Sequence, residues 1–309
     1  MRERIGYLHL PKAAGSSVVE ALEAHVGADG VCPWRFDHHL LGDITDWDSI
    51  SHPVFRGDAR ELRAHRLVAG HFTLPTLLAA FEPADVAVIV REPRARLVSQ
   101  YAYWRTLTED EHRSWGQYQA ARVAQRPLGE FVRTAHIAHV TDNLALRLVL
   151  GPHPLVPVHD FIADTDIDEL VDQAWSALES LGHLDLLERG ADVFDALARW
   201  LGASLHVGRR NVTEVEDAPS VDLADLGSAA TIAAVHDRSA ADLELWHRIA
   251  ARRGISARGA RALADTTATA RLLALAETRP ALAVGAADAP ASSPMRQVAD
   301  RAGRFLRRR

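Results

Sequence analysis

Three short apolar runs frame the first third of the chain. Ile5 to Leu10, Leu67 to His71 and Asp85 to Val90 are rich in apolar residues, too short for stable helices, and predict buried β-strands. Each leads into a stretch of helical spacing. Val18, Val19, Ala21 and Leu22 follow the first run, Thr76 to Phe81 follows the second, and Leu97, Val98, Tyr101 and Trp104 share one face after the third. Pro93 suits the first turn of that last helix, where its missing N–H costs nothing. Buried strands alternating with helices predict an α/β fold, with a central parallel sheet covered on both faces in a three-layer α/β/α arrangement. The C-terminal half reads as helix-rich, with helices at 128–135, 141–150, 167–181, 191–201 and 229–253 and a short strand near His183 to Leu187. Residues 106–126 are polar and read as an insertion or lid, and no internal repeat is visible.

Composition narrows this picture. With 48% apolar and 25% charged residues, the 309-residue chain can bury a sizeable core. A net charge of −6 argues against a general nucleic-acid binder, which needs excess basic groups to displace counterions from phosphates. Cys32 is the only cysteine, so neither an intrachain disulfide nor a cysteine-rich zinc site can form. The charge-free stretch Leu67 to Phe81 is interrupted by His71 and Pro75 and is shorter than the roughly 20 apolar residues that span a bilayer. The opening residues lack a secretory apolar region, and the expectation is a cytoplasmic protein with no transmembrane segment.

Charge is unevenly spread. Residues 255–309 carry ten Arg and four Asp or Glu, a net of +6, so residues 1–254 must carry −12 to reach the total of −6. This predicts a folded domain over 1–254 and an appended Ala/Arg-rich tail over 255–309, partly helical or disordered. The end of the tail sets Val298, Phe305 and Leu306 among arginines. It reads either as a basic amphipathic helix in weak contact with an acidic partner or a membrane surface, or more plainly as a solvated tail of an arginine-rich chain.

Among the 35 basic side chains a single lysine stands out, Lys12. It opens the loop Pro11-Lys12-Ala13-Ala14-Gly15-Ser16-Ser17 between the first strand and its helix. There the backbone N–H groups of a helix start and the positive end of its dipole make an anion cradle. Ser16 and Ser17 add hydroxyl donors and Lys12 a movable charge. The loop is not a Walker A motif, because its Lys precedes the only Gly. Arg91 ends the third strand, where open α/β sheets bind ligands, and Ser99 follows on the next helix. Two anion sites on neighbouring strand ends suit a nucleotide phosphorylated at two places.

The segments Leu8 to Ser17 and Val90 to Tyr101 resemble the 5′-phosphosulfate loop and the 3′-phosphate motif of sulfotransferases that use 3′-phosphoadenosine 5′-phosphosulfate (PAPS). The resemblance is to the carbohydrate branch, of the heparan sulfate 2-O-sulfotransferase kind, with its soluble bacterial relatives. Thr141-Asp142-Asn143-Leu144 with Arg147, Arg209-Arg210-Asn211-Val212-Thr213 and Ala241 to Trp246 agree with it in kind and order, so that it spans about residues 5–253. It implies a P-loop-like fold and transfer of a sulfuryl group from PAPS, without a metal, to a hydroxyl of a carbohydrate, glycolipid or natural-product acceptor. By the same resemblance Lys12 follows the leaving phosphate oxygen, the N–H groups of residues 13–17 hold the 5′ phosphate, and Arg91 and Ser99 hold the 3′ phosphate. Arg209 and Arg210 belong to a loop over the nucleotide or to solvent.

His71 in Ala69-Gly70-His71-Phe72 resembles the segment that supplies the base, with His38 and His39 in reserve, Asp37 third, and Asn143 facing cofactor or acceptor. The family often has Gly at the position of Ala14, which makes this loop less permissive. Its vertebrate members carry an N-terminal membrane anchor not seen here, which points to a soluble acceptor. Two other readings compete: a catalytically silent nucleotide-binding or scaffold protein, and a P-loop small-molecule kinase. The first would be expected to have lost Lys12 or the base, and the second lacks its Walker A lysine.

Overall fold

The computed structural model describes residues 2–40, 50–51, 53–114, 116, 118–208 and 221–277. Four parallel strands form the central sheet: β1 (Ile5–Leu8), β2 (Leu67–Gly70), β3 (Val86–Val90) and β4 (His183–Leu186), in the spatial order β2-β1-β3-β4. Ile5 pairs with Leu67 and Gly6 with Val86, so β1 is central with one neighbour on each side. The chain therefore leaves β1 toward one edge and returns on its other side, which places the topological switch point between β1 and β3.

Strand side chains alternate between two apolar layers, as a sheet covered on both faces requires. Ile5, Tyr7, Leu67, Ala69, Ala87 and Ile89 pack with Val18 and Leu22 of helix α1 (Gly15–Val26) and with Val193, Leu197 and Leu201 of a helix at Ala191–Leu201. Leu8, Val68, Val86, Val88 and Val90 face the other way, onto helices of the C-terminal half. The α/β three-layer expectation holds. Predicted helices match at Leu128–Arg133, Leu144–Leu150, Ile167–Glu179 and Ala191–Leu201.

Three expectations need correction. The segment 106–126 is not polar throughout: the helix Glu109–Ser114 buries His112 alone, but Tyr118–Ala124 joins a second apolar cluster, where Ala120, Val123 and Ala124 pack with Leu97, Tyr101 and Phe131. The amphipathic pattern there was short and masked by the charges around it. The predicted helix 229–253 is two helices, Ala229–Asp237 and Ala240–Arg252, broken where the carbonyl of Arg238 accepts the N–H of Asn143.

The segment past residue 254 is helical at its start, as expected, but is packed on the body rather than appended to it. Helix Ala257–Ala276 buries Ala260, Ala264, Ala268 and Leu275, and its Asp265 pairs with Arg94 at 3.0 Å. Alanines at every fourth position let this helix lie close against the helix at Pro93–Trp104, a pattern hidden in the sequence by the alanine-rich background. The amphipathic stretch 295–309 lies outside the described residues.

Candidate functional site

The loop after β1 departs from ordinary backbone geometry at two residues. Lys12 and Ala14 take φ of 66° and 57°, the left-handed region, which costs a non-glycine residue roughly 1–2 kcal/mol each. Left-handed Ala14 explains why glycine suits this position. Ala14 is also the N-cap of α1 and offers no side-chain acceptor, and the N–H groups of Ala14, Gly15 and Ser16 make no hydrogen bond among the described residues. A helix start left uncapped, with its donors unpaired, is open to an anion. Ser16 is exposed at this end, while Ser17 is buried.

Gly15 is required by a neighbouring side chain. A Cβ there would lie 1.7 Å from Cδ2 of His9, so the glycine makes room for the His9 imidazole. That ring lies against His71, tilted by 32° with centroids 4.3 Å apart. His71 is fixed by the backbone: its Nδ1 lies 2.7 Å from the His9 carbonyl, which only accepts, so Nδ1 carries the proton and Nε2 keeps its lone pair. Burial pushes His71 down to about 4, and burial together with His71, Arg35 and Lys12 pushes His9 well below the usual imidazole range. Both rings are neutral at neutral pH. His9 was missed in the sequence because its importance comes from a contact across two strands; its place three residues before Lys12 was the available signal.

Arg91 follows β3 and reaches across the switch point, donating from Nη1 to the carbonyl of Lys12 at 3.0 Å. One residue thus pins the strained loop and adds its charge to it. Nζ of Lys12 sits 3.9 Å from the centroid of the Tyr103 ring. Burial, with Arg91 and Arg271 adjacent, lowers Lys12 to about 7. None of Lys12, Arg91 and Arg271 forms an ion pair among the described residues; Glu188, the acid that acts most on Arg91, is engaged with the Glu92 N–H and the Trp246 indole. Ser99 is buried on the Pro93–Trp104 helix. Arg96 on the same helix is buried with Nε and Nη1 unpartnered, its charge balanced at a distance by Asp242.

Other candidates are placed elsewhere or occupied. Asp37 is buried and its Oδ2 accepts from the Thr73 N–H, the Thr73 hydroxyl and the Thr76 hydroxyl, at 3.3, 3.1 and 2.5 Å, which makes it a support for the turn after β2 rather than a base. His38 has Nδ1 3.2 Å from the Phe55 carbonyl, and His39 is exposed. Ligand atoms of Asp37, His38 and His39 lie within 4.8 Å of one another, so the trio read from the sequence as reserve bases also has the spacing of metal ligands. Arg209 and Arg210 lie outside the described residues.

Asn143 does not face the cleft. It is buried with φ of 45°, and its Oδ1 accepts the N–H groups of Ala241 and Asp242 at 2.9 and 3.2 Å, capping the helix Ala240–Arg252 from outside. Asp242 returns the arrangement, accepting the N–H groups of Ala145 and Leu146 at 2.9 and 2.8 Å at the start of Leu144–Leu150. Two helices cap each other. We expect Asn143→Ala to cost about 3 kcal/mol in urea unfolding, because two buried N–H groups lose their acceptor and alanine is poorly tolerated at that φ. Asn143→Gly, free of the torsional part, should lose less; a loss below about 1 kcal/mol for the alanine variant would show that the mutual cap is dispensable.

Among the described residues no helix is long and apolar enough to cross a membrane. Compared with family models, curated proteins and solved structures, the chain finds no match.

Proposed function

We propose that the chain is a PAPS-dependent sulfotransferase acting on a hydroxyl of a carbohydrate, glycolipid or natural-product acceptor. The observation that carries this reading is the cationic cluster at the switch point between β1 and β3, where Arg91 meets the Lys12 loop beside the uncapped start of α1. It lies at the strand ends where open α/β sheets hold ligands. The resemblance of the two segments supplies the identity of the nucleotide, which the geometry by itself does not.

The donor contributes the sulfuryl group; the residues contribute position and charge. The N–H groups at residues 14–16 and the Lys12 ammonium would face the 5′ phosphosulfate, with Arg91 and Ser99 toward the 3′ phosphate. Sulfuryl transfer leaves negative charge on a phosphate oxygen, and Lys12 can move from the Tyr103 ring to meet it. Nε2 of His71, its tautomer fixed by the His9 carbonyl, can take the acceptor proton.

The reading is tested by calorimetry with adenosine 3′,5′-bisphosphate, the expected product. Binding is expected, together with a rise in the thermal midpoint as the ligand selects the folded state. No binding at millimolar concentration would remove the assignment. A mass-spectrometric screen of hydroxyl acceptors with PAPS, reading the gain of one sulfuryl group, then identifies the acceptor.

A further inference from the structure

The helix Ala257–Ala276 presents one residue that its packing does not explain. Ala264, Ala268 and Leu275 mark its buried stripe, and position 271, three residues beyond 268 and four before 275, continues that stripe. It is occupied by arginine. Nε of Arg271 is buried without a hydrogen-bond partner, and the side chain forms no ion pair or other hydrogen bond among the described residues. Its charged neighbours are Arg91 and, through it, Lys12, all of the same sign.

Arg271 is half-buried, and a guanidinium turned toward packed helices is ordinarily met by a carboxylate or by carbonyls, since an unpaired buried N–H loses its hydration. The one acid on the same helix and the acid beside Arg91 are used for other contacts: Asp265 pairs with Arg94, and Glu188 accepts from the Glu92 N–H and the Trp246 indole, so neither reaches Arg271. We propose that Arg271 is a third anion-binding residue of the Lys12–Arg91 cluster, brought to the sheet by the helix Ala257–Ala276. The missing partner is the phosphate of the bound nucleotide. This rests on the cluster being an anion site, and it makes that helix a working part of the site rather than an appendage. It also accounts for the like charges in the ligand-free protein: three cations are held together for a multiply charged ligand.

The test uses the full chain, with Arg271→Met, which keeps an unbranched stem and removes the charge, and Arg271→Lys, which keeps the charge and loses the fork. Adenosine 3′,5′-bisphosphate and inorganic pyrophosphate are titrated in parallel by calorimetry at pH 6.5. Arg271→Met is expected to weaken both ligands about 10- to 100-fold, as the loss of a charge-assisted contact would, with Arg271→Lys between it and the wild type. The thermal midpoint of the ligand-free Arg271→Met protein should rise, because like charges are relieved. Unchanged affinity overturns the proposal, and so does weaker binding accompanied by a lower ligand-free midpoint, which marks an arginine needed for folding. If the wild type binds pyrophosphate but not the bisphosphate, and Arg271→Met weakens that binding, Arg271 keeps its role and the nucleotide reading falls. If the wild type binds neither, both fall.

Discussion

Lys12→Met is expected to lower the rate of sulfuryl transfer from PAPS about a thousandfold or more, as removal of a donor aimed at developing charge does. Methionine has the length of the lysine stem and faces the same left-handed backbone cost, so the loop should fold as before and the loss should fall on the chemistry. Lys12→Arg should not rescue it, because a planar fork cannot follow one oxygen inside the loop that Arg91 pins. The ammonium also carries a pH signature. Held at about 7 by burial and by Arg91 and Arg271, it is mostly neutral at pH 8 in the free protein and regains its proton when an anion arrives. Bisphosphate binding at pH 8 should therefore consume close to one proton, seen as a binding enthalpy that changes with buffer ionisation heat, and Lys12→Met should abolish that dependence. A variant that transfers at the wild-type rate would remove Lys12 from the reaction.

What could be read from the chain divides along physical lines. Strand β1, the loop at 11–17 and Arg91 at the end of β3 were legible because each is a local pattern, and a parallel sheet brings strand ends together without further information. Contacts made between distant segments were not. His9 matters through His71, Arg271 through Arg91, and both pairs depend on packing that no window of sequence contains. Asn143 was visible as a motif but misread, since a polar residue in a helix start has the same letter whether it faces a ligand or caps a neighbouring helix. The tail misled for a different reason. Alanine and arginine together suggest a solvated segment, whereas in Ala257–Ala276 the alanines are what permit close helix packing.

His71→Ala should cost a hundredfold or more in turnover while changing bisphosphate affinity little, because the ring is fixed by a backbone carbonyl and its free nitrogen is kept for a proton rather than for the phosphates. The pH profile separates this role from a structural one. His71 must be neutral to act and titrates at about 4, so activity is retained above that value and falls as pH drops through it. Lys12 must be charged and titrates at about 7 in the free protein, so kcat/KM for the donor should fall as pH rises through 7. The predicted kcat/KM profile is a plateau between these limits, whereas kcat should lack the alkaline fall because bound donor keeps Lys12 charged. His71→Ala should remove the acid limb and leave the alkaline one. If turnover of His71→Ala stays near normal, the proton goes elsewhere, and the adjacent ring of His9, with its centroid 4.3 Å away and also neutral, becomes the group to replace next.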